Sequence, residues 1–251
     1  MKPSLSLSQF LYGYQQPLFE ALELECFAGE IWAILGANGR GKTTLLDTLT
    51  KVRDPLGGSA ELDGGIAFVP QSFHASFNWL VQDVVLMGRA SQVKLFSQPS
   101  KMDEELVREA LNQLKIEHLA TTPFHSLSGG QQQLVLIARA LVSERQNILL
   151  DEPCSALDLS NQQAVLQLIY DLAAKQNRTV LFTTHDPMHA TQLATHVLLL
   201  LPNKQWLAGK TSDILTKENL QLAYGVPIRQ LDNPEHPFNL FVPQFQIQKP
   251  A

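Results

Sequence analysis

Four short stretches of this sequence carry residue types that could do chemistry on a phosphate. The first, Gly36-Ala-Asn-Gly-Arg-Gly-Lys-Thr43, matches G-x-x-x-x-G-K-[ST], with an apolar run before it and a helical pattern after it. Gly36, Gly39 and Gly41 let the backbone turn with its amides inward. Together with the following helix N-terminus, those amides make a nest for anionic oxygens. Ala37, Asn38 and Arg40 complete the loop, and Thr44 belongs to the same phosphate-binding set. Lys42 is expected to reach the β- and γ-phosphates of a nucleotide as a point charge, and the Thr43 hydroxyl to ligate Mg²⁺. The second stretch, Ile148-Leu-Leu-Asp-Glu-Pro153, is an apolar strand running into two carboxylates. Asp151 falls at the strand's C-terminal edge, where α/β sheets bind ligands, and suits a Mg²⁺ held through water opposite Thr43. Glu152 is then placed to polarise an attacking water.

The third stretch is a strand over 179–184 that ends in His185, on the same expected sheet edge. His185 is read as a hydrogen-bond donor to the γ-phosphate. His185 and His189 also have the i,i+4 spacing of a metal pair. Pro187 lies between them and no H-E-x-x-H occurs, so a metal pair is not expected. The fourth stretch, Leu127-Ser-Gly-Gly-Gln131, places a serine and two glycines at the start of a helix. Exposed amides at a helix N-terminus bind anions, and this one has no lysine of its own.

The elements that must hold these groups alternate in texture. Leu5, Leu7 and the apolar stretch to Leu11 read as one strand, and Leu22, Leu24 and Cys26, alternating with glutamates, as a second. Residues 31–35 form a nearly continuous apolar run, the mark of a buried strand. A helix is expected over about 42–51 and a strand over 66–69. Residues 81–142 are mostly helical in pattern, with an apolar face at Leu106, Val107, Ala110, Leu111 and Leu114. Strand texture returns at 148–150, 179–182 and 196–201, with a helix over about 160–174 between the first two. This alternation predicts a three-layer α/β sheet with a helical insertion. The tail, rich in proline, is expected to drape as loops and short edge strands.

Bulk properties narrow the function classes. The 251 residues suit one sizeable domain or a core with a subdomain, and 45% hydrophobic against 17% charged residues makes a packed core attainable. A net charge of −5 disfavours a nucleic-acid binder. Two cysteines, Cys26 and Cys154, exclude a disulfide framework or a Cys-only zinc site and fit a reducing compartment. The longest apolar run, 197–201, is far short of the ~20 residues of a membrane span. The first ten residues lack the basic start and apolar block of a signal peptide.

Leu127-Ser-Gly-Gly-Gln131 resembles the signature of ATP-binding cassette (ABC) proteins, and it falls between the phosphate loop and Asp151, where that family has it. Gln71 resembles the family's Q-loop glutamine, Ser155-Ala-Leu-Asp158 its D-loop, and Thr184-His185-Asp186 its histidine switch. The resemblance covers about residues 5–224. It implies a P-loop NTPase (RecA-like) core of ABC type with an antiparallel β subdomain and a helical subdomain. The core would comprise 1–80 and 145–224, the helical subdomain 81–144, and the tail 225–251. An aromatic residue should stack on adenine; Tyr12 and Tyr14 both qualify, with Tyr12 preferred. Gln71 is implied as a further Mg²⁺ and catalytic ligand beside Glu152 and His185. Arg40 and Cys154 depart from the family pattern at positions that supply no ligand, and Cys154 is read as a small packing residue.

The same resemblance implies that two copies pair head to tail. Each ATP would lie between one copy's phosphate loop and the other's Ser128, Gly129, Gly130 and Gln131. One cassette with no span and no long C-terminal regulatory domain resembles a separate ATPase subunit, peripheral to the cytoplasmic face of the membrane through permease subunits. An outside binding protein would take part only indirectly. Val84-Val-Leu-Met-Gly-Arg89 and the 220–226 ending resemble ATPases of metal-chelate importers, which serve ferric siderophores, haem, cobalamin and oxyanions such as molybdate or tungstate. Phe73, Phe77 and Trp79 are expected either to help line a groove for a permease helix or to be core of the helical subdomain. The alternatives are the ATPase of an exporter or lipid transporter and a soluble, non-transport ABC protein.

Overall fold

The computed structural model describes residues 2–71, 78–92, 98–155, 157–231 and 238–245. Along the chain run β1 (Leu5–Leu11), β2 (Leu22–Cys26), β3 (Ile31–Leu35), α1 (Lys42–Leu49), β4 (Gly57–Leu62) and β5 (Ile66–Val69). Then come α2 (Val81–Leu86), α3 (Lys101–Gln113), α4 (Gly129–Val142), β6 (Asn147–Leu150), α5 (Leu159–Ala174) and β7 (Thr179–Thr184). The last are α6 (Pro187–Leu193), β8 (His196–Leu200), β9 (Trp206–Lys210), α7 (Thr211–Ile214), α8 (Lys217–Tyr224), β10 (Ile228–Leu231) and β11 (Leu240–Pro243).

The apolar runs that lack alternation become the centre of the main sheet. Its order is β5-β6-β7-β3-β8-β9, parallel throughout except for β9, which pairs antiparallel with β8. β3, β6 and β7 are buried at every position, as strands covered on both faces must be. β3 shows how one strand serves two cores. Ile31, Ala33 and Leu35 point into the larger apolar cluster, shared with α2–α5, while Trp32 and Ile34 point into a second one. The second cluster lies under a three-stranded antiparallel sheet of order β2-β1-β4 and includes Leu45, Leu46 and Leu49 of α1. β2 alternates strictly, with Leu22, Leu24 and Cys26 inward and Glu23 and Glu25 outward.

Two strands were not legible beforehand. β4 is polar and only partly buried, and its pairing with β1 (Leu5 opposite Leu62, Leu7 opposite Ala60) makes it a strand. β9 is an edge strand supported by β8. The tail does form short strands, but β10 and β11 pair with each other, Ile228 opposite Pro243, rather than with a larger sheet.

The 84–89 segment has a clear structural task. Val84 and Val85 are buried on α2. A Cβ on Gly88 would lie 2.1 Å from the Arg139 carbonyl oxygen, so only glycine lets this turn rest on α4. Arg89 is buried and donates to Asp103 at 2.9 Å, to the Val142 carbonyl at 2.9 Å, and to Glu144. Asp103 also closes a capping box with Ser100 at the start of α3. One guanidinium thus ties the N-terminus of α3 to the C-terminus of α4. Hydrogen bonds from Ser100 and from Arg89 hold the Asp103 carboxyl down at about 2.

Among the described residues no helix is long and apolar enough to cross a membrane.

Candidate functional site

Parallel strands present their C-terminal ends on one edge of the sheet, and ligands of such sheets bind there, where strand order reverses. Four of the sequence-predicted groups arrive by this route. The glycine loop leaves β3, Gln71 follows β5, Asp151 and Glu152 follow β6, and His185 follows β7.

The loop turns on residues that tolerate left-handed backbone. Gly39 has φ 77° and Gly41, the N-cap of α1, has φ 82°. A Cβ on Gly41 would meet Leu18 Cδ1 at 2.6 Å, so Leu18 packs closely against the loop at this point. Asn38, Gly39, Arg40, Gly41, Lys42, Thr43 and Thr44 line a cavity of about 330 Å³, together with Tyr14, Leu18, Gln71 and Glu152. Gly36 and Ala37 stand behind it. The Lys42 ammonium donates to the Gly36 carbonyl at 2.9 Å and to the Ala37 carbonyl at 3.5 Å.

Lys42 is 5% exposed and its Nζ lies 3.4 Å from Glu152 Oε1. Glu152 is the hub of the site. Its other carboxylate oxygen, Oε2, lies 3.4 Å from Gln71 Nε2 and 3.4 Å from His185 Nδ1. The residue sits in the left-handed region at φ 46°, and its N–H donates to Thr183 Oγ1 at 2.8 Å. A non-glycine residue held there costs about 1–3 kcal/mol and persists where its surroundings over-determine it. The same Thr183 hydroxyl donates to Asp151 Oδ1 at 2.6 Å. Asp151 is 1% exposed, beneath the cavity rather than on its wall. Burial, helped by the neighbouring Asp151 carboxylate, pushes the Asp47 carboxyl on α1 up from its ordinary value. Thr43, Gln71 and Asp151 offer a hydroxyl, an amide and a carboxylate, all hard oxygen donors. That set suits Mg²⁺, which takes one or two protein ligands and completes its shell with water and phosphate.

His185 is half exposed and reaches Glu152 from a neighbouring cavity of about 130 Å³, which Glu152 and Cys154 also line. Cys154 is buried. Burial, with the Asp186 carboxylate nearby, pushes its thiol up to about 12, so it stays protonated and acts as packing, in line with its sequence reading.

The preference for Tyr12 is corrected. Tyr12 is 1% exposed, stacks on Phe19 with centroids 5.9 Å apart, and lies under Gly41. It supports the loop from inside the core. A tight turn then reverses the chain: Gly13 bridges Pro17, and a Cβ on Gly13 would lie 2.3 Å from the Gln16 carbonyl oxygen. Tyr14, at the tip of that turn, is 62% exposed on the cavity wall, with the Arg53 guanidinium 4.3 Å from its ring centroid. Of the two tyrosines, Tyr14 is the one whose ring is exposed at the cavity.

Ser128 caps α4 with a reciprocal box. Its hydroxyl accepts from Gln131 N–H at 3.3 Å, and Gln131 Oε1 accepts from Ser128 N–H at 3.0 Å. Ser128 and Gly129 are exposed. None of residues 128–131 lines the phosphate-loop cavity, so within one chain the signature and the loop remain separate. Trp79 is 42% exposed, and its carbonyl accepts from Phe124 N–H. Phe73 and Phe77, named with it, lie outside the described residues, as does Ala156 of the 155–158 motif.

Sequence reading missed Leu18, Arg53 and Thr183. Thr183 had a signal: a hydroxyl inside an apolar strand, at the edge that carries the carboxylates.

A family model described as "ABC transporter" matches residues 19–155. The molybdate import ATP-binding protein MolC of Haemophilus influenzae is 45% identical, over 98% of each chain. A solved inward-facing ABC transporter assigned to the metal-chelate type contains a chain that is 45% identical, with a TM-score of 0.89 over 98% of each chain. A bacterial ABC transporter cassette solved as a dimer is 25% identical, with a TM-score of 0.74 over 82% of this chain and 98% of that one.

Proposed function

The chain belongs to the ABC transporter family, and from that premise we propose that it is the ATPase subunit of a bacterial importer of the metal-chelate class whose cargo is molybdate. The observation that carries the cargo is the 45% identity, end to end, with a molybdate import ATP-binding protein. ABC ATPases couple ATP hydrolysis to transport, and cassettes of this kind act as dimers on membrane permeases.

In this reading the adenine stacks on Tyr14. The amides of 36–44 and the Lys42 ammonium hold the phosphates. Thr43, Gln71 and, through water, Asp151 would hold Mg²⁺, which would supply positive charge to the phosphates. Glu152 takes the proton of the attacking water, and His185 donates to the γ-phosphate. Lys42 Nζ pairs with Glu152 Oε1 at 3.4 Å. Drawing Lys42 toward phosphate releases that carboxylate to act as a base, so binding arms the catalyst.

The second anion site, at Ser128, Gly129, Gly130 and Gln131, closes over the γ-phosphate held by a partner copy. ATP bridges the two copies, and hydrolysis removes the bridging charge and opens them. The core is then 1–80 with 145–224, the helical part 81–144 and the tail 225–251. The subunit sits at the cytoplasmic face through its permease, and a binding protein outside selects the cargo.

The cargo is tested by elemental mass spectrometry of cells with and without the gene, grown in limiting molybdate. Molybdenum should fall several-fold and selectively, and return when the gene is restored. Unchanged molybdenum beside a fall in iron or cobalt would replace molybdate with a metal chelate.

A further inference from the structure

The peptide that carries His185 is held by a residue far along the chain. The Tyr224 phenol donates a 2.9 Å hydrogen bond to the His185 carbonyl, across 39 positions of sequence. Tyr224 is the last residue of α8, which Gly225 ends in left-handed conformation at φ 69°. α8 is firmly seated. Thr216 caps its first turn, and Leu220 and Ala223 are buried in the larger core. Gln221 Oε1 accepts from Ile228 N–H at 3.1 Å and ties β10 to the helix. β11, paired with β10, packs against α6. α6 begins two residues after His185, with Asp186 as its cap. The C-terminal segment therefore grips the His185 turn twice, at the carbonyl of the histidine and at the helix that follows it.

The phenol is a dependable donor. Burial, with the Asp186 and Glu152 carboxylates nearby, pushes it well above its ordinary value, so it keeps its proton. The imidazole it steadies is half exposed and makes a 3.4 Å approach to Glu152 Oε2. A half-exposed side chain on a turn has freedom to swing, and misplacing a catalytic group by ~1 Å costs rate.

We infer that Tyr224 is a positioning residue: its hydroxyl fixes the His185 peptide so that the imidazole faces Glu152 and the γ-phosphate, and through it the C-terminal segment sets the rate of turnover. This rests on the proposed role of His185. Tyr224→Phe removes the hydroxyl alone and keeps the half-buried ring packed against the core.

The test is a double-mutant cycle of Tyr224→Phe and His185→Ala in the full chain. It reads kcat and KM for ATP, single-turnover phosphate release and thermal midpoint. Tyr224→Phe should lower kcat about three- to tenfold, the range of one hydrogen bond, with KM and the thermal midpoint close to wild type. In the His185→Ala background it should have no further effect. An equal loss in both backgrounds would make Tyr224 a general structural residue and overturn the inference. Wild-type turnover in Tyr224→Phe, beside a crippled His185→Ala, would overturn it and leave the role of His185 standing. Wild-type turnover in His185→Ala would overturn both.

Discussion

Glu152→Gln should bind ATP with near wild-type affinity while steady-state phosphate release falls about 10²–10⁴-fold, the range for loss of a general base. The substitution keeps the size of the side chain. It also keeps the backbone N–H bond to Thr183 and a partner for Gln71, so the turn at φ 46° has no reason to relax. What goes is the carboxylate that would accept the water proton. Losing that charge also removes the 3.4 Å pairing with Lys42, which frees the ammonium for phosphate and costs no affinity. If hydrolysis is the step that opens the closed pair, this variant should accumulate with ATP as a dimer on size exclusion. A monomer with wild-type turnover would remove the role assigned to Glu152.

Lys42→Ala should lose ATP affinity. The ammonium is the charged donor at the mouth of the nest, and a hydrogen bond to a charged group contributes about 1.5–3 kcal/mol. That is about 10- to 150-fold in Kd, read by calorimetry. The change also leaves Glu152, 12% exposed, beside Gln71 and His185 without its cation. A stability loss could then mimic a binding loss, because unpaired buried charges destabilise. The double variant Lys42→Ala/Glu152→Gln removes that charge. It should fold as well as wild type and still bind ATP weakly. Unchanged affinity in either variant would take away the anchor of the whole site.

The groups that make this site were legible because each is local. A glycine loop after a buried strand, two carboxylates ending another, and a capped helix N-terminus are patterns within eight residues. Their convergence follows from parallel strands sharing one edge. The parts that were not legible depend on contacts distant in sequence. β4 shows no apolar alternation and is a strand only because β1 pairs with it. Tyr12 and Tyr14 share a parity that points both the same way along an extended chain, and only the turn over 13–17 separates buried from exposed. The 84–89 segment carries a family resemblance, yet Gly88 and Arg89 serve there to lock α3 to α4. The bond from Tyr224 to the histidine turn crosses a helix, two strands and α7, and no spacing in the sequence announces it.

In the proposed mechanism each ATP site is shared by two copies of the chain, since residues 128–131 line no part of the phosphate-loop cavity of their own chain. The most direct measurement mixes two inactive variants, Lys42→Ala and Ser128→Arg, and follows phosphate release. Each alone spoils every site of its own dimer. In a mixed dimer one site combines both defects and the other combines neither. Random pairing then leaves about a quarter of all sites intact. Activity should therefore reappear on mixing, in proportion to the mixed pairs formed. Two variants that stay silent together, under conditions where subunits demonstrably exchange, would contradict the shared site.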